Sequence, residues 1–281
     1  MRPHTSRSRF RLAAAATLAV VIGGAGALAV TPAVEVRADP SQCSATAADN
    51  QGWGVPNRGD HFSDPALTDT WYAYDGPGHA GNGRRTPSAI SIQDSVLTIN
   101  GDPAGNSAGI AWKQGQMYGR WEVCARSAPG SASYHPVLLL WPDAEDWPIG
   151  GEVDFMEIWD PARQTVDFAL HYDADDKRDV GEINVDATQW HSWAVEWTPQ
   201  RITAYVDGRE WWSSTDTAKF PPRPMHLCIQ LDNFGGDVSQ GGQLQVDWAQ
   251  RYTLSPDAVA ELRRLDSPVA RPSQPPRRPT L

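Results

Sequence analysis

From about residue 53 to residue 252 the chain is a succession of short runs in which apolar and polar residues alternate, each closed by Gly, Pro, Asn or Asp. The runs are 88–93, 95–99, 119–126, 137–141, 152–159, 165–172, 190–197, 201–206, 225–231 and 243–252. Alternation sends successive side chains to opposite faces of a strand, so each run offers one apolar face to a core. Helix-favouring patterns are scarce over the same span. Short strands divided by turns at this spacing predict an all-β domain, a sandwich or jelly roll. Asp207-Gly208, directly after Val206, is a tight hairpin signal, because both central positions of a type I′ turn take positive φ. Thr198-Pro199-Gln200 divides two further strands. The Gly-rich stretch 74–86 has no apolar period and is expected as a loop, the kind of segment that shapes subsites over a sheet.

One run breaks its own alternation. In Gly151-Glu152-Val153-Asp154-Phe155-Met156-Glu157-Ile158-Trp159, Glu152 and Asp154 share a face while Val153 and Phe155 point to the core. Continued alternation would expose Met156 on the acidic face and bury Glu157. An unpaired buried carboxylate is costly. One extra residue near Met156, a β-bulge, turns Glu157 back beside the other two acids, and bulges re-aim side chains at active sites. Three acids are therefore expected on one surface. A calcium site or a solvated acidic face would use the same residue types, but calcium sites favour loops rich in Gly, Asn and backbone oxygens over an alternating apolar strand.

The 281 residues allow one large all-β domain or two small ones. Residues 1–38 have a basic start (Arg2, Arg7, Arg9, Arg11), an uncharged run from Leu12 to Val34, and Ala38 before Asp39. This is the pattern of a cleaved secretory signal. An uncleaved membrane anchor is the alternative, and no later segment is expected to span a membrane. No adjacent Arg pair marks a twin-Arg route, and no Cys stands at the cleavage point. Losing this basic segment makes the mature chain more acidic than the formal −10 of the whole, which argues against nucleic acid or anionic lipid as partner and suits a neutral polymer. The expected domain then runs over 39–254. The Pro- and Arg-rich tail, 255–281, is expected to be largely disordered. Thirteen Trp exceed what a core of this size needs; most are packing residues, while others offer flat indole faces to sugar rings. Of the three cysteines, Cys124 and Cys228 lie in strand-like runs and would pair if those strands are neighbours, leaving Cys43 free; an odd count does not settle connectivity.

Paired carboxyls are what glycosidic cleavage needs: one protonated to donate to the leaving oxygen, the other to attack the anomeric carbon, roughly 5–5.5 Å apart in a retaining enzyme. Asp154 beside Glu152 can share a proton with it, and crowded like charges raise at least one pKa.

The stretches Tyr118-Gly119-Arg120-Trp121-Glu122-Val123 and Trp147-Pro148-Ile149-Gly150-Gly151-Glu152-Val153-Asp154-Phe155-Met156-Glu157 resemble glycoside hydrolase family 16, the second in the bulged E-x-D-x-x-E form of laminarinase-like members. Leu170-His171-Tyr172, Trp193-Ala194-Val195-Glu196-Trp197-Thr198-Pro199, Ala204-Tyr205-Val206-Asp207-Gly208 and Val246-Asp247-Trp248 follow in the family's order, so the resemblance covers about residues 50–254. It implies a β-jelly roll of two antiparallel sheets with a concave substrate cleft. It also implies Glu152 as nucleophile, Glu157 as general acid and base, and Asp154 as their assistant. The reaction implied is retaining endo-hydrolysis of a β-linked polysaccharide, β-1,3- or β-1,3/1,4-glucan first, by a secreted monomer that needs no cofactor for catalysis. Transglycosylation of wall polysaccharide and non-catalytic carbohydrate binding are the rival functions. Trp147 matches a sugar-stacking Trp, His171 a cleft histidine, Trp159 a cleft wall and Gln230 a polar contact. Where the family carries a Trp three residues before a proline, this chain has Leu139 before Pro142; Trp141, facing the same side, is expected to supply the stacking surface instead. Asp247 matches a ligand of a structural calcium.

Overall fold

A computed structural model describes residues 41–254; the expected leader and tail lie outside the described residues. After a short helix, α1 (Ala47–Gln51), the chain forms β1 (Arg58–Asp60), β2 (Trp71–Ala73), β3 (Gly76–Pro77), β4 (Arg84–Arg85), β5 (Ile90–Gln93), β6 (Val96–Gly101), β7 (Asn106–Trp112), β8 (Gly119–Ala128) and β9 (Tyr134–Pro142). It continues through β10 (Glu152–Glu157), β11 (Thr165–Tyr172), β12 (Lys177–Asn184), β13 (His191–Trp197), β14 (Ile202–Val206), β15 (Arg209–Ser214), β16 (Met225–Asn233) and β17 (Gly242–Tyr252). Two sheets result. The outer sheet runs β15-β14-β13-β8-β17-β6-β5, with β1 added beside β17. The cleft sheet runs β12-β11-β10-β9-β16-β7-β4-β3, with β2 beside β7. Pairing is antiparallel throughout except between β4 and β7. The Asp207-Gly208 turn has φ of 49° and 74° and joins β14 to β15 with Val206 opposite Arg209, the hairpin its sequence calls for.

The core lies between the sheets. Leu138 and Leu140 of β9, Phe168 and Leu170 of β11 and Leu227, Ile229 and Leu231 of β16 face Trp121 and Val123 of β8 and Trp193, Val195 and Trp197 of β13. Each such aliphatic or aromatic side chain contributes roughly 1.5–3 kcal/mol on burial. The intervening residues Val137, Leu139 and Cys228 turn to the opposite face of the cleft sheet, against Tyr74 and Trp141. Strand periodicity alone thus divides β9 into a core side and a cleft side.

The cysteine pairing differs from expectation. Cys43 bonds to Cys124, and Cys228 is free and buried. Cys124 sits on β8 against Trp248 and Trp190, on the back of the outer sheet, whereas Cys228 is on the cleft side of the other sheet. A disulfide needs Cα atoms within about 7 Å, and the two strands never neighbour one another. The segment before β1 is bound to the back of the outer sheet in other ways too. The fully buried Glu122 accepts from the N–H groups of Ala47 and Ala48 at the start of α1 and from the Ser192 hydroxyl. Burial pushes the Glu122 carboxyl up. Asp247, also fully buried, accepts at Oδ2 from Gln42 N–H at 2.9 Å and from the Ser41 hydroxyl at 3.4 Å. Both partners donate to Asp247, and among the described residues Asp247 belongs to no group of three or more acid, histidine or cysteine side chains of metal-binding size.

Candidate active site

The acidic strand β10 lies inside the cleft sheet, between β9 and β11. Its register slips once. Asp154 pairs with Leu139 and Met156 with Leu138 on one side, while Asp154 pairs with Ala169 and Glu157 with Asp167 on the other. One residue is therefore extra between Asp154 and Glu157, the expected bulge. Both Phe155 and Met156 enter the core, at 0% and 1% exposure, and Glu157 emerges on the cleft side with Glu152 and Asp154. Energetics favour this. A bulge forgoes about one ladder hydrogen bond, worth ~0.5–1.5 kcal/mol net. Burying an ionised Glu157 among apolar side chains would cost far more.

The three acids crowd in poor solvent contact. Burial raises the Glu152 carboxyl well above its ordinary range, and the neighbouring Asp154 charge adds to the effect. Burial, then Glu157, raises Asp154 well above its ordinary range. Burial also raises Glu157, partly offset by a hydrogen bond from Trp159. Glu152 and Asp154 are hydrogen-bonded to each other. Asp154, Glu152 and His171 bring one polar atom each within 4.8 Å of one another.

Raised carboxyls make stability fall with pH. In the unfolded chain such groups titrate at about 4; in the fold they keep their protons to higher pH. Between those two values the folded state binds more protons, so unfolding becomes easier as pH rises. Glu152→Gln removes one contributor. Its thermal midpoint by circular dichroism is expected to exceed the wild type's at about pH 8 and to converge with it near pH 3, below the unfolded-state value, where the Glu152 carboxyl of the wild type is protonated both folded and unfolded. Parallel pH profiles would contradict this.

A cleft of about 1230 Å³ surrounds the acids. Trp141 and Trp147 stand nearly parallel along its wall, with ring centres 6.3 Å apart and an 11° interplanar angle. Trp141 shares the cleft side with Leu139 and donates its indole N–H to Glu145 at 2.9 Å. Trp147 is 41% exposed and Trp159 44%. Gln230 lines the floor, 6% exposed, and its Oε1 has no hydrogen-bond partner among the described residues. His171 borders the cleft, but both its ring nitrogens are taken by carboxylates, Asp154 and Asp176, instead of facing open space.

Other lining groups carry no sequence pattern of their own. Phe234 is stacked between His79 and His135 at 4.1 and 4.2 Å, with Trp159 edge-on. Burial lowers the His135 ring to about 4, so it serves as a neutral aromatic plate. Arg85 forms a two-bond pair with Asp232 at 2.8 and 2.7 Å and lies over the Tyr74 ring. Gly109 makes room for that ring, since a Cβ there would come within 2.5 Å of it. His79 and Arg85 do come from the Gly-rich segment expected to shape subsites. Phe234, Asp232 and Asp176 had no signal beyond their residue type.

The comparisons with known proteins agree with this architecture. A chain from Rhizobium meliloti (strain 1021), an endo-1,3-1,4-beta-glycanase ExsH, is 25% identical over 232 residues, covering 74% of this chain and 48% of the relative. A beta-glucanase from Rhodothermus marinus is 29% identical over 169 residues, covering 50% of this chain and 59% of the relative. The chain thus spans about half the length of the curated relatives it matches. The catalytic domain of an endo-1,3-beta-glucanase (laminarinase) from Thermotoga petrophila RKU-1 shares the fold, with a TM-score of 0.65 at 18% identity, over 72% of this chain and 98% of that domain. Among the described residues no helix is long and apolar enough to cross a membrane. The family model of the glycosyl hydrolases family 16 matches residues 81–250. That span is more than half of the chain and contains the bulged strand, both its neighbours and the aromatic walls, and on it the chain belongs to glycosyl hydrolases family 16.

Proposed function

We propose that the protein is a retaining endo-glycosidase that cleaves β-1,3- or β-1,3/1,4-linked glucan. The observation that carries this is the bulge, which sets Glu152, Asp154 and Glu157 on one face of an aromatic-walled cleft. In the first step a Glu152 oxygen attacks the anomeric carbon. The glycosidic C–O bond breaks, and its oxygen takes the proton of Glu157. A glycosyl ester on Glu152 results. Water then attacks the same carbon, gives its proton to Glu157 and frees Glu152. Burial that raises Glu157 keeps that proton available towards neutral pH. Asp154, hydrogen-bonded to Glu152, holds the attacking carboxyl in place and shares its proton. Trp141 and Trp147 offer stacking faces, and the unpartnered Gln230 Oε1 suits a sugar hydroxyl.

The relatives named as glycanase and glucanase support hydrolysis over transfer to a second sugar. The Cys43–Cys124 bond supports an exported protein, because disulfides persist in oxidising compartments. Products from laminarin, lichenan, agarose and xyloglucan, resolved by anomer with NMR during the first minutes, test the reading. Oligosaccharides of the β anomer from laminarin or lichenan are expected. First appearance of the α anomer, or no cleavage of any of the four, would refute it.

A further inference from the structure

His171 has no ring nitrogen left for a substrate. Nε2 lies 3.1 Å from Asp154 Oδ2 and Nδ1 lies 2.6 Å from Asp176 Oδ1. Asp176 sits in the turn between β11 and β12, with its side chain 36% exposed and φ of 52°. Water reaches this side chain, and its Oδ1 is the accepting atom opposite the ring nitrogen. The proton in the short contact with His171 therefore belongs to Nδ1. The hydrogen bond made by one ring nitrogen decides the state of the other. With Nδ1–H held by Asp176, Nε2 and Asp154 Oδ2 share the next proton, and the ring plane is fixed against the Asp154 carboxyl. The other Asp154 oxygen, Oδ1, is buried, and among the described residues no N–H or hydroxyl reaches it. The Glu152 and Asp154 carboxyls are hydrogen-bonded to each other, and Oδ1 is the Asp154 oxygen left for that bond.

We propose that Asp176 is a positioning residue of the active site: by fixing the tautomer and plane of His171, it anchors one oxygen of Asp154 and so keeps the other on Glu152. The inference rests on Glu152 being the nucleophile. The charged groups around the ring are Glu152, Asp154 and Glu157 from β10, Asp176 from the turn, and Arg178 of β12, which pairs in register with His171. Trp147 covers the ring at 6.5 Å. Asp176 is the only one of these on Nδ1, so the tautomer is its to set.

The test compares wild type, Asp176→Ala and Asp176→Asn. Asn tolerates the positive φ of this turn, and its amide oxygen can accept the same bond without the charge. Ring-nitrogen NMR on protein labelled with ¹⁵N-histidine reports the tautomer, with the His171 signals assigned by their loss in His171→Gln. Wild type is expected to show a protonated Nδ1. Asp176→Ala is expected to move the proton to Nε2 and to lower kcat on the cleaved glucan about tenfold, the scale of one charge-assisted hydrogen bond, with KM within about twofold. Asp176→Asn should restore Nδ1–H and most of kcat. A bare Nδ1 in wild type would overturn the proposal. So would an Asp176→Ala variant with unchanged tautomer, or one whose tautomer changes while kcat does not. If Asp176→Ala does not fold, the wild-type and Asp176→Asn spectra decide. Wild type inactive on every glucan would refute the proposed function, while the spectra still judge the placement of the proton.

Discussion

Glu152→Gln is expected to lower kcat/KM on the cleaved glucan by roughly 10⁴–10⁶-fold, the scale of losing a nucleophile that acts as part of a unit. The amide is nearly the shape of the carboxylate, so the cleft walls and the hydrogen bond to Asp154 persist. What disappears is the oxygen that forms the glycosyl ester. Reducing-sugar release measures the loss, and circular dichroism confirms that the fold is kept. Residual activity above a tenth of the wild type in a folded Glu152→Gln protein would remove Glu152 from the reaction. Because the same change relieves a buried, crowded charge, the inactive variant is also the one expected to resist heating better at alkaline pH. Function and stability then oppose each other at one atom.

The second large effect is on stability alone. Cys43 and Cys124 close a loop of 81 residues. In the chain-entropy account, a loop of this length stabilises the fold by about 4.5 kcal/mol, with measured values more often ~2–4 kcal/mol. Cys43→Ala with Cys124→Ala is expected to lower the thermal midpoint by roughly 5–15 °C, taking ~2–4 °C per kcal/mol for a domain of this size. The bond lies on the back of the outer sheet, away from the acids. Glucan cleavage at a temperature where the variant stays folded should therefore match the wild type. A midpoint unchanged within about 1 °C would mean that the hydrogen bonds of Glu122 and Asp247 hold the N-terminal segment without it.

Much of this was legible in the sequence, and the failures have physical causes. Strands with strict alternation and bulky apolar residues, such as β9, β11 and β13, stand close to their expected bounds. β7 was missed because Asn106-Ser107-Ala108-Gly109 are small residues with weak strand preference; burial against Trp and Ile side chains of the neighbouring strands decides their conformation. β12 was missed because it is an edge strand whose exposed Lys177, Arg178, Asp179 and Glu182 suit an edge but hide an apolar period. The bulge was legible because only one shift kept Glu157 out of the core. The disulfide was not, since pairing depends on which sheet each strand joins. His171 lines the cleft, but its partners carry no signal in the sequence, because Asp176 reaches it only through the geometry of a turn.

Two groups among the thirteen indoles differ in exposure. Trp112, Trp121, Trp193 and Trp197 are sealed in the core, while Trp141, Trp147 and Trp159 meet solvent in the cleft. Emission from the first group reports the fold, and emission from the second reports what occupies the cleft. An oligosaccharide held by Glu152→Gln would shield only the second group. The protein therefore carries its own fluorescent gauge of substrate binding, readable by acrylamide quenching without any label.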